Sequence, residues 1–396
     1  SDYHIQERTV GVFGQMSLSW MDMLFLTVTG RNDVVSTMPR GNRSFFYPSV
    51  SLGWIFTELP ALKENHVLSY GKLRLSYAQV GQAGQFYNNY MYVPSYTGGM
   101  YVYTPISYPL GGAKGYAPYY VKFDENLKPQ NTSNWETGID LGLFKNRVRV
   151  EYTLSYQDVR NQIFDVPTAG TTGYQALSTN AGQMTTLSHE LSVNAYVIDH
   201  ANYGLDLGVN FTKITNKVKK LPDGVESIML VGFVEPQVRA QAGYTYPNIY
   251  GKAFKRTEDG QLLLNANGLP QGTAASVNLG ECTPDFNMGF NLRAHYKQLS
   301  LSATMDWQKG GCMYNGTLLT MNYFGASKAS LPYHEGTMVA EGINEATGQK
   351  NTVQVSKQQY YMAYNDVTEA GIFDTSFLKL RDVTLSYQFP KFAGIN

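Results

Sequence analysis

No stretch of about 18 apolar residues occurs in the 396-residue sequence, so no helix of it can cross a membrane. That excludes one kind of crossing only, because barrel strands need about 9–11 residues each and carry polar residues at alternate positions. Charge is scarce as well. Asp, Glu, Lys and Arg make up 16% of the chain, where about a quarter is usual. The net charge is zero, which argues against nucleic acid as a partner. The motifs of catalysis are missing too: there is no G-x-S-x-G elbow, no Walker loop and no H-E-x-x-H. Asp124, Glu125 and Asn126 lack the spacing and central glycine of a calcium loop. The six histidines are His4, His66, His189, His200, His295 and His334, and none has a partner at metal-site spacing. His295 reads as a solvated position on the polar face of a strand. Carboxylates such as Asp140, Glu151 and Glu190 could be paired for catalysis, but a solvated lumen explains them better. No enzyme activity, metal or cofactor is expected.

What is abundant is tyrosine (30), phenylalanine (19) and glycine (38), a mixture suited to strands, turns and wet apolar interfaces. Period-2 alternation recurs along the chain. Val148, Val150, Tyr152, Leu154 and Tyr156 alternate with Arg149, Glu151, Thr153 and Ser155. Phe286, Met288, Phe290, Leu292, Ala294 and Tyr296 alternate with Asn287, Gly289, Asn291, Arg293 and His295. Eleven such segments lie near 9–20, 23–30, 45–56, 69–80, 133–144, 147–165, 185–198, 203–216, 284–296, 299–309 and 375–389. The seventh is weaker, and the last is clear only from Val383 onward.

The gaps between segments alternate in length. Short gaps are 21–22, 57–68, 145–146, 199–202 and 297–298; long ones are 31–44, 81–132, 166–184, 217–283 and 310–374. Short inner turns alternating with long outer loops are the pattern of an up-and-down transmembrane β-barrel, and a sandwich or propeller has no reason to sort its loops this way. The fold expected is therefore all-β, an antiparallel up-and-down barrel in contact with outer-membrane lipid. Eleven strands cannot close with antiparallel neighbours, so further strands are expected at both ends of a larger barrel.

The 81–132 loop is dense in tyrosine. Tyr87, Tyr90, Tyr92, Tyr96, Tyr101 and Tyr103 are candidates for a ligand-binding surface, because tyrosine offers a flat apolar face and a hydroxyl. The competing reading is that they pack the loop against itself. Glu258, Asp259 and Gly260, and Ala346, Thr347 and Gly348, read as tight hairpins within the later loops. The two cysteines flank one hairpin. If Tyr296 faces Leu299, Cys282 and Cys312 come within one residue of facing each other, and a bulge, for which Pro284 is a natural place, would put them on one side. A disulfide between them is one expectation, and two unpaired thiols in separate loops the other.

Several motifs resemble one family. Phe13, Gly14 and Gln15, then Arg31, Asn32 and Asp33, resemble paired strands ending in Arg-x-Asp. The run Tyr47, Pro48, Ser49, Val50, Ser51, Leu52, Gly53, Trp54 is similar to a YPSxSxGW strand. Lys72, Leu73, Arg74, Leu75, Ser76 and Tyr77 with Val80, Gly81 and Gln82 look like KLRxSYGxxGN, although Ala78 and Gln82 stand where Gly and Asn are usual. Trp135, Glu136, Gly138 and Asp140 follow in order. So do Thr172, Gly173 and Tyr174; Asn180, Ala181 and Gly182; Glu190 and Leu191; Pro284, Asp285 and Phe286; Gly310 and Gly311; and Phe377, Leu378, Lys379, Leu380, Arg381, Asp382 and Val383. Together they resemble the SusC/RagA family of TonB-dependent outer-membrane transporters.

The resemblance implies a 22-stranded barrel holding an N-terminal plug, of which this chain supplies about eleven strands from the middle and later part. The plug, first strands and last strands are then expected outside residues 1–396. It implies active import of oligosaccharides or peptides in Bacteroidetes-type bacteria. The implied partners are a SusD-like surface lipoprotein acting as a lid and the TonB–ExbB–ExbD complex acting through the plug. A siderophore or vitamin receptor of the wider TonB-dependent group is the alternative, with a barrel enzyme or a surface adhesin behind it.

Overall fold

The computed structural model describes residues 6–389 apart from 64, 85–91, 96, 223 and 233. Alternating chemistry becomes long strands, here called β1 (Thr9–Trp20), β2 (Leu24–Val35), β3 (Ser44–Ile55), β4 (Leu68–Gln82), β5 (Gln130–Leu143) and β6 (Val148–Arg160). They continue with β7 (Gln183–His200), β8 (Tyr203–Lys220), β9 (Phe286–Tyr296), β10 (Leu299–Lys309) and β11 (Phe377–Tyr387). All eleven segments expected from periodicity are present, and they hydrogen-bond in chain order as one 11-stranded sheet. By compactness the chain divides into 1–142 with 153–187 and 218–225, and 143–152 with 188–217 and 226–396.

In the first unit, register keeps one face apolar. Val28 of β2 faces Met16 of β1 and Val50 of β3, and Leu52 of β3 faces Leu75 of β4. Thr29 and Ser49 pair on the opposite face, their hydroxyls hydrogen-bonded. The turn from β1 to β2 has positive φ at Met21 and Asp22 (51° and 52°), the twist a tight hairpin needs, closed by the Met23 N–H on the Trp20 carbonyl at 3.1 Å.

The second unit repeats the rule. Leu207, Leu292, Ala303 and Val383 make an apolar row across β8 to β11, and Asp206, Arg293, Ser302 and Thr384 make the polar row beside it. β11 contains one irregularity. Thr304 pairs with Asp382 but Met305 pairs with Leu380, so Arg381 is an extra residue, a β-bulge. Apolar positions are even before it (Leu378, Leu380) and odd after it (Val383, Leu385, Tyr387). This is why the alternation reads cleanly only from Val383.

The sheet has no conventional core. All twelve residues of β1 are exposed, Val12 and Phe13 among them. Full burial occurs instead where loops meet strands. Met38 and Leu127 form a cluster with Val35, Phe45, Ala83 and Ile163 in the first unit, and Leu264 and Asn248 are buried in the second. A one-layer wall with an apolar and a polar face is what a barrel between lipid and water requires.

Candidate functional site

The polar face is tied by ion pairs. On β2, Arg31 Nε donates to both Asp33 oxygens (2.9 and 3.1 Å), and the Tyr47 hydroxyl of β3 donates to Asp33 as well. The Arg-x-Asp and YPSxSxGW motifs thus meet side by side. On β4, Arg74 holds Asp140 of β5 with Nε and Nη2 (2.9–3.1 Å) and donates to Thr153 at 3.1 Å, with Glu136 at 3.7 Å. A Cβ at Gly138 would stand 2.7 Å from the Arg74 guanidinium, so the glycine is there to let Arg74 reach across. In the second unit Arg149, Glu151, Asp206, Arg293, Asn291 and Asp382 line a polar cleft of about 690 Å³. His295 lies against Gly204 on the same polar face. Among the described residues no group of three or more His, Cys, Asp or Glu is placed to hold a metal.

The apolar face carries aromatic side chains near both ends of its strands. At the short-turn end stand Trp20, Trp54, Tyr203, Tyr296 and Tyr387. Toward the long loops stand Phe46, Tyr77 and Trp135 in the first unit, the last two with ring centres 4.3 Å apart. Phe211, Phe286 and Trp307 do the same in the second, where Phe286 meets Trp307 edge-on at 4.9 Å. From Phe286 to Tyr296 along β9 is about 33 Å of strand. A tilt of roughly 40° shortens that to about 25 Å, the height of a barrel's apolar band between its aromatic girdles.

Above that band the long connections fold on themselves. Of the tyrosine candidates, Tyr87, Tyr90 and Tyr96 lie outside the described residues. Tyr92 sits in a strand (Tyr92–Ser95) paired with Gly115–Pro118, and Tyr101 in one (Thr97–Tyr101) paired with Thr104–Ser107. Tyr103 is 90% exposed. Both expected hairpins are present. Gly260 (φ 82°) closes on the Thr257 carbonyl, and Gly348 (φ 66°) turns Ile343–Asn344 back onto Gln349–Lys350.

The 310–374 loop also holds two helices that periodicity did not show, α1 (Gly316–Tyr323), capped by Asn315, and α2 (Lys357–Asn365), capped by Ser356. They are too short for a helical period to stand out, and only their N-caps mark them in sequence. Tyr333 stacks on Tyr361 at 4.2 Å and 12° beside a cleft of about 310 Å³ that Tyr323, Phe324, Asn322 and His334 also line. Burial pushes the Tyr361 hydroxyl up, so it stays a donor. The tyrosines of Tyr360, Tyr361 and Tyr364 were the available signal for this second aromatic site.

Two ion pairs join these loops. Arg256 grips Glu369 with two bonds (2.6 and 2.9 Å), and Glu369 also accepts from the Phe254 N–H at 2.7 Å. Burial pushes the Glu369 carboxyl up, but hydrogen bonds from Arg256 and Phe254 and the Arg256 charge hold it below the ordinary glutamate range. Lys255 pairs with Glu345 at 3.2 Å. Cys282 and Cys312 are both half-buried free thiols.

A wall of long antiparallel strands with an apolar girdled face, an ion-paired polar face and folded loops at one end is the wall of a transmembrane β-barrel. The chain belongs to the TonB dependent receptor-like β-barrel family, whose model matches residues 1–394. It is 23% identical to TonB-dependent receptor P3 of Formosa agariphila, across 99% of this chain and 39% of that protein. It is 25% identical to TonB-dependent receptor SusC of Bacteroides thetaiotaomicron, across 98% of this chain and 38% of that protein. The RagAB peptide importer in its open-open state superposes with a TM-score of 0.72 at 19% identity, covering 98% of this chain and 41% of that one. The motifs that resemble the SusC/RagA family agree with these relatives. The chain therefore spans about two-fifths of the length of the curated relatives it matches. Membership in this β-barrel family places the strands in the outer membrane.

Proposed function

We propose that this chain is barrel wall and outer loops of an importer of oligosaccharides or peptides, the SusC-like half of a complex with a SusD-like surface lipoprotein. Energy would come from the TonB–ExbB–ExbD complex acting on a plug held in the lumen. The observation that carries this reading is the collinear match to SusC along 98% of the chain. Exposed aromatics in the long loops support it. Tyr103, Tyr116 and Tyr120 in the 81–132 loop, with the Tyr333–Tyr361 stack, offer flat faces edged by amides and hydroxyls. Such faces suit sugar rings and peptide side chains alike. In this reading the loops near 81–132, 217–283 and 310–374 face the cell exterior, and Tyr87, Tyr90, Tyr92, Tyr96 and Tyr101 share the ligand surface with Tyr103.

The test has two arms. The full-length protein, tagged and solubilised from its native outer membrane, should bring down one surface lipoprotein in stoichiometric amount. Deletion of its gene should abolish growth on an oligosaccharide or peptide mixture supplied as sole carbon source. Growth lost only when iron is supplied as a chelate would overturn the proposal.

A further inference from the structure

The cysteines sit where two small sheets of the loop region come together. One sheet contains Asn248–Gly251 paired with Val277–Glu281, and Cys282 follows its last strand. The other pairs Cys312–Tyr314 with Ile372–Asp374. Between β9 and β10 the register pairs Phe286 with Lys309, and continued unchanged it would leave the cysteines one residue out of step. Gly310 and Gly311 remove the mismatch. Both are left-handed (φ 74° and 79°), so β10 breaks off its ladder immediately after Lys309. A Cβ at Gly311 would meet the Cys282 carbonyl at 3.0 Å and the Pro284 nitrogen at 3.4 Å, so that turn packs directly on the Cys282 backbone. On the other side Gly280 leaves open the place of the Cys312 sulfur, 2.7 Å from where its Cβ would stand. Two glycines without side chains thus leave the room in which the two cysteines come together.

We propose that Cys282 and Cys312 form a disulfide in the mature protein, stapling the sheet of the 217–283 loop to the strand pair of the 310–374 loop at the base of both. An outer-membrane protein passes through an oxidising compartment on its way to the membrane. The oxidant there is a dithiol–disulfide oxidase. The Cys282 thiolate attacks the oxidase disulfide and releases one of its thiols. Cys312, as thiolate, then attacks the Cys282 sulfur of the mixed disulfide and frees the second. Two electrons pass to the oxidase, and the two protons leave through the oxidase thiols and solvent. Burial pushes both thiols up, Cys312 to about 11 with the Cys282 charge adding to it, so Cys282 is the easier of the two to ionise first.

The test uses cells making the full-length protein. Acid quenching followed by N-ethylmaleimide in detergent traps every thiol before air can oxidise it. Trypsin, cutting after Arg293, Lys297 and Lys309, then places the two cysteines in different peptides for mass spectrometry without reductant. The expected result is one linked species, lighter than the two free peptides by two hydrogens and separated by reduction. In Cys282→Ser, Cys312 should become alkylated. Maleimide on both cysteines of the wild-type protein, or either one capped by a small thiol, would overturn the proposal.

Discussion

The Arg74 guanidinium occupies the space that a side chain at Gly138 would fill, and from there it grips Asp140 by two parallel bonds. The pair is part-exposed, about a third for Arg74 and a fifth for Asp140, so its worth is above that of a surface ion pair and below that of a sealed one. Gly138→Leu should displace Arg74 and lower barrel stability by about 1–3 kcal/mol, the order expected for lost charge-assisted hydrogen bonds. Asp140→Asn should lose less. The heat needed to convert the folded to the unfolded band on a detergent gel reads both, and a Gly138→Leu barrel as heat-resistant as wild type would refute the account.

The extra residue at Arg381 makes a sharper test of register. Deleting Arg381 rejoins Leu380 to Asp382 without turning any side chain to the other face. It costs the Arg381–Asp306 ion pair (2.6 Å, half-exposed) and the Arg381 guanidinium's place over the Phe377 ring, together about 1–2 kcal/mol. Inserting one alanine after Thr384 would instead turn Leu385 and Tyr387 onto the polar face. We expect the deletion to reach the outer membrane in normal amount and the insertion to fail. Equal recovery of both in outer-membrane fractions would show the bulge has no such role.

Acid should loosen the contact between the 217–283 and 310–374 loops. Glu369 has a folded value held below its ordinary 4.5 by Arg256 and the Phe254 N–H, against the upward push of burial. Its contribution is therefore complete above pH 4.5 and drains away as pH falls through the lower folded value. Hydrogen exchange at Phe254, corrected for its intrinsic pH dependence, should show full protection at neutral pH and reduced protection near pH 3. Glu369→Gln should abolish that dependence and raise opening at neutral pH roughly fivefold, about 1 kcal/mol. Wild-type protection unchanged across this range would contradict the assignment.

The stacked Tyr333 and Tyr361 give the ligand reading its most local test. If the cleft beside them takes a sugar ring or an aromatic side chain, Tyr361→Ala should weaken binding roughly fivefold, since an aromatic contact is worth about 1 kcal/mol beyond its buried area. Calorimetry on the purified complex with oligosaccharide and peptide mixtures measures this. Unchanged affinity for a ligand that binds wild type would move the site elsewhere in the loops.

Alternation alone determined the eleven strands, their faces and the sorting of short turns from long loops. Each strand faces lipid on one side and water on the other, so every second residue reports its environment directly. Where that local rule is broken the sequence was mute. The Arg381 bulge shifts parity by one residue and hid the first half of β11. The left-handed Gly310 and Gly311 end the β10 ladder and pack that turn on the Cys282 backbone. Helices α1 and α2 are too short to show a period. The aromatic cleft joins Tyr333 to Tyr361 across a loop, and the Arg74–Asp140 pair joins strands 66 residues apart. These relationships depend on which segments fold back on which. Only the tertiary structure, by closing the loops and fixing strand order, sets that.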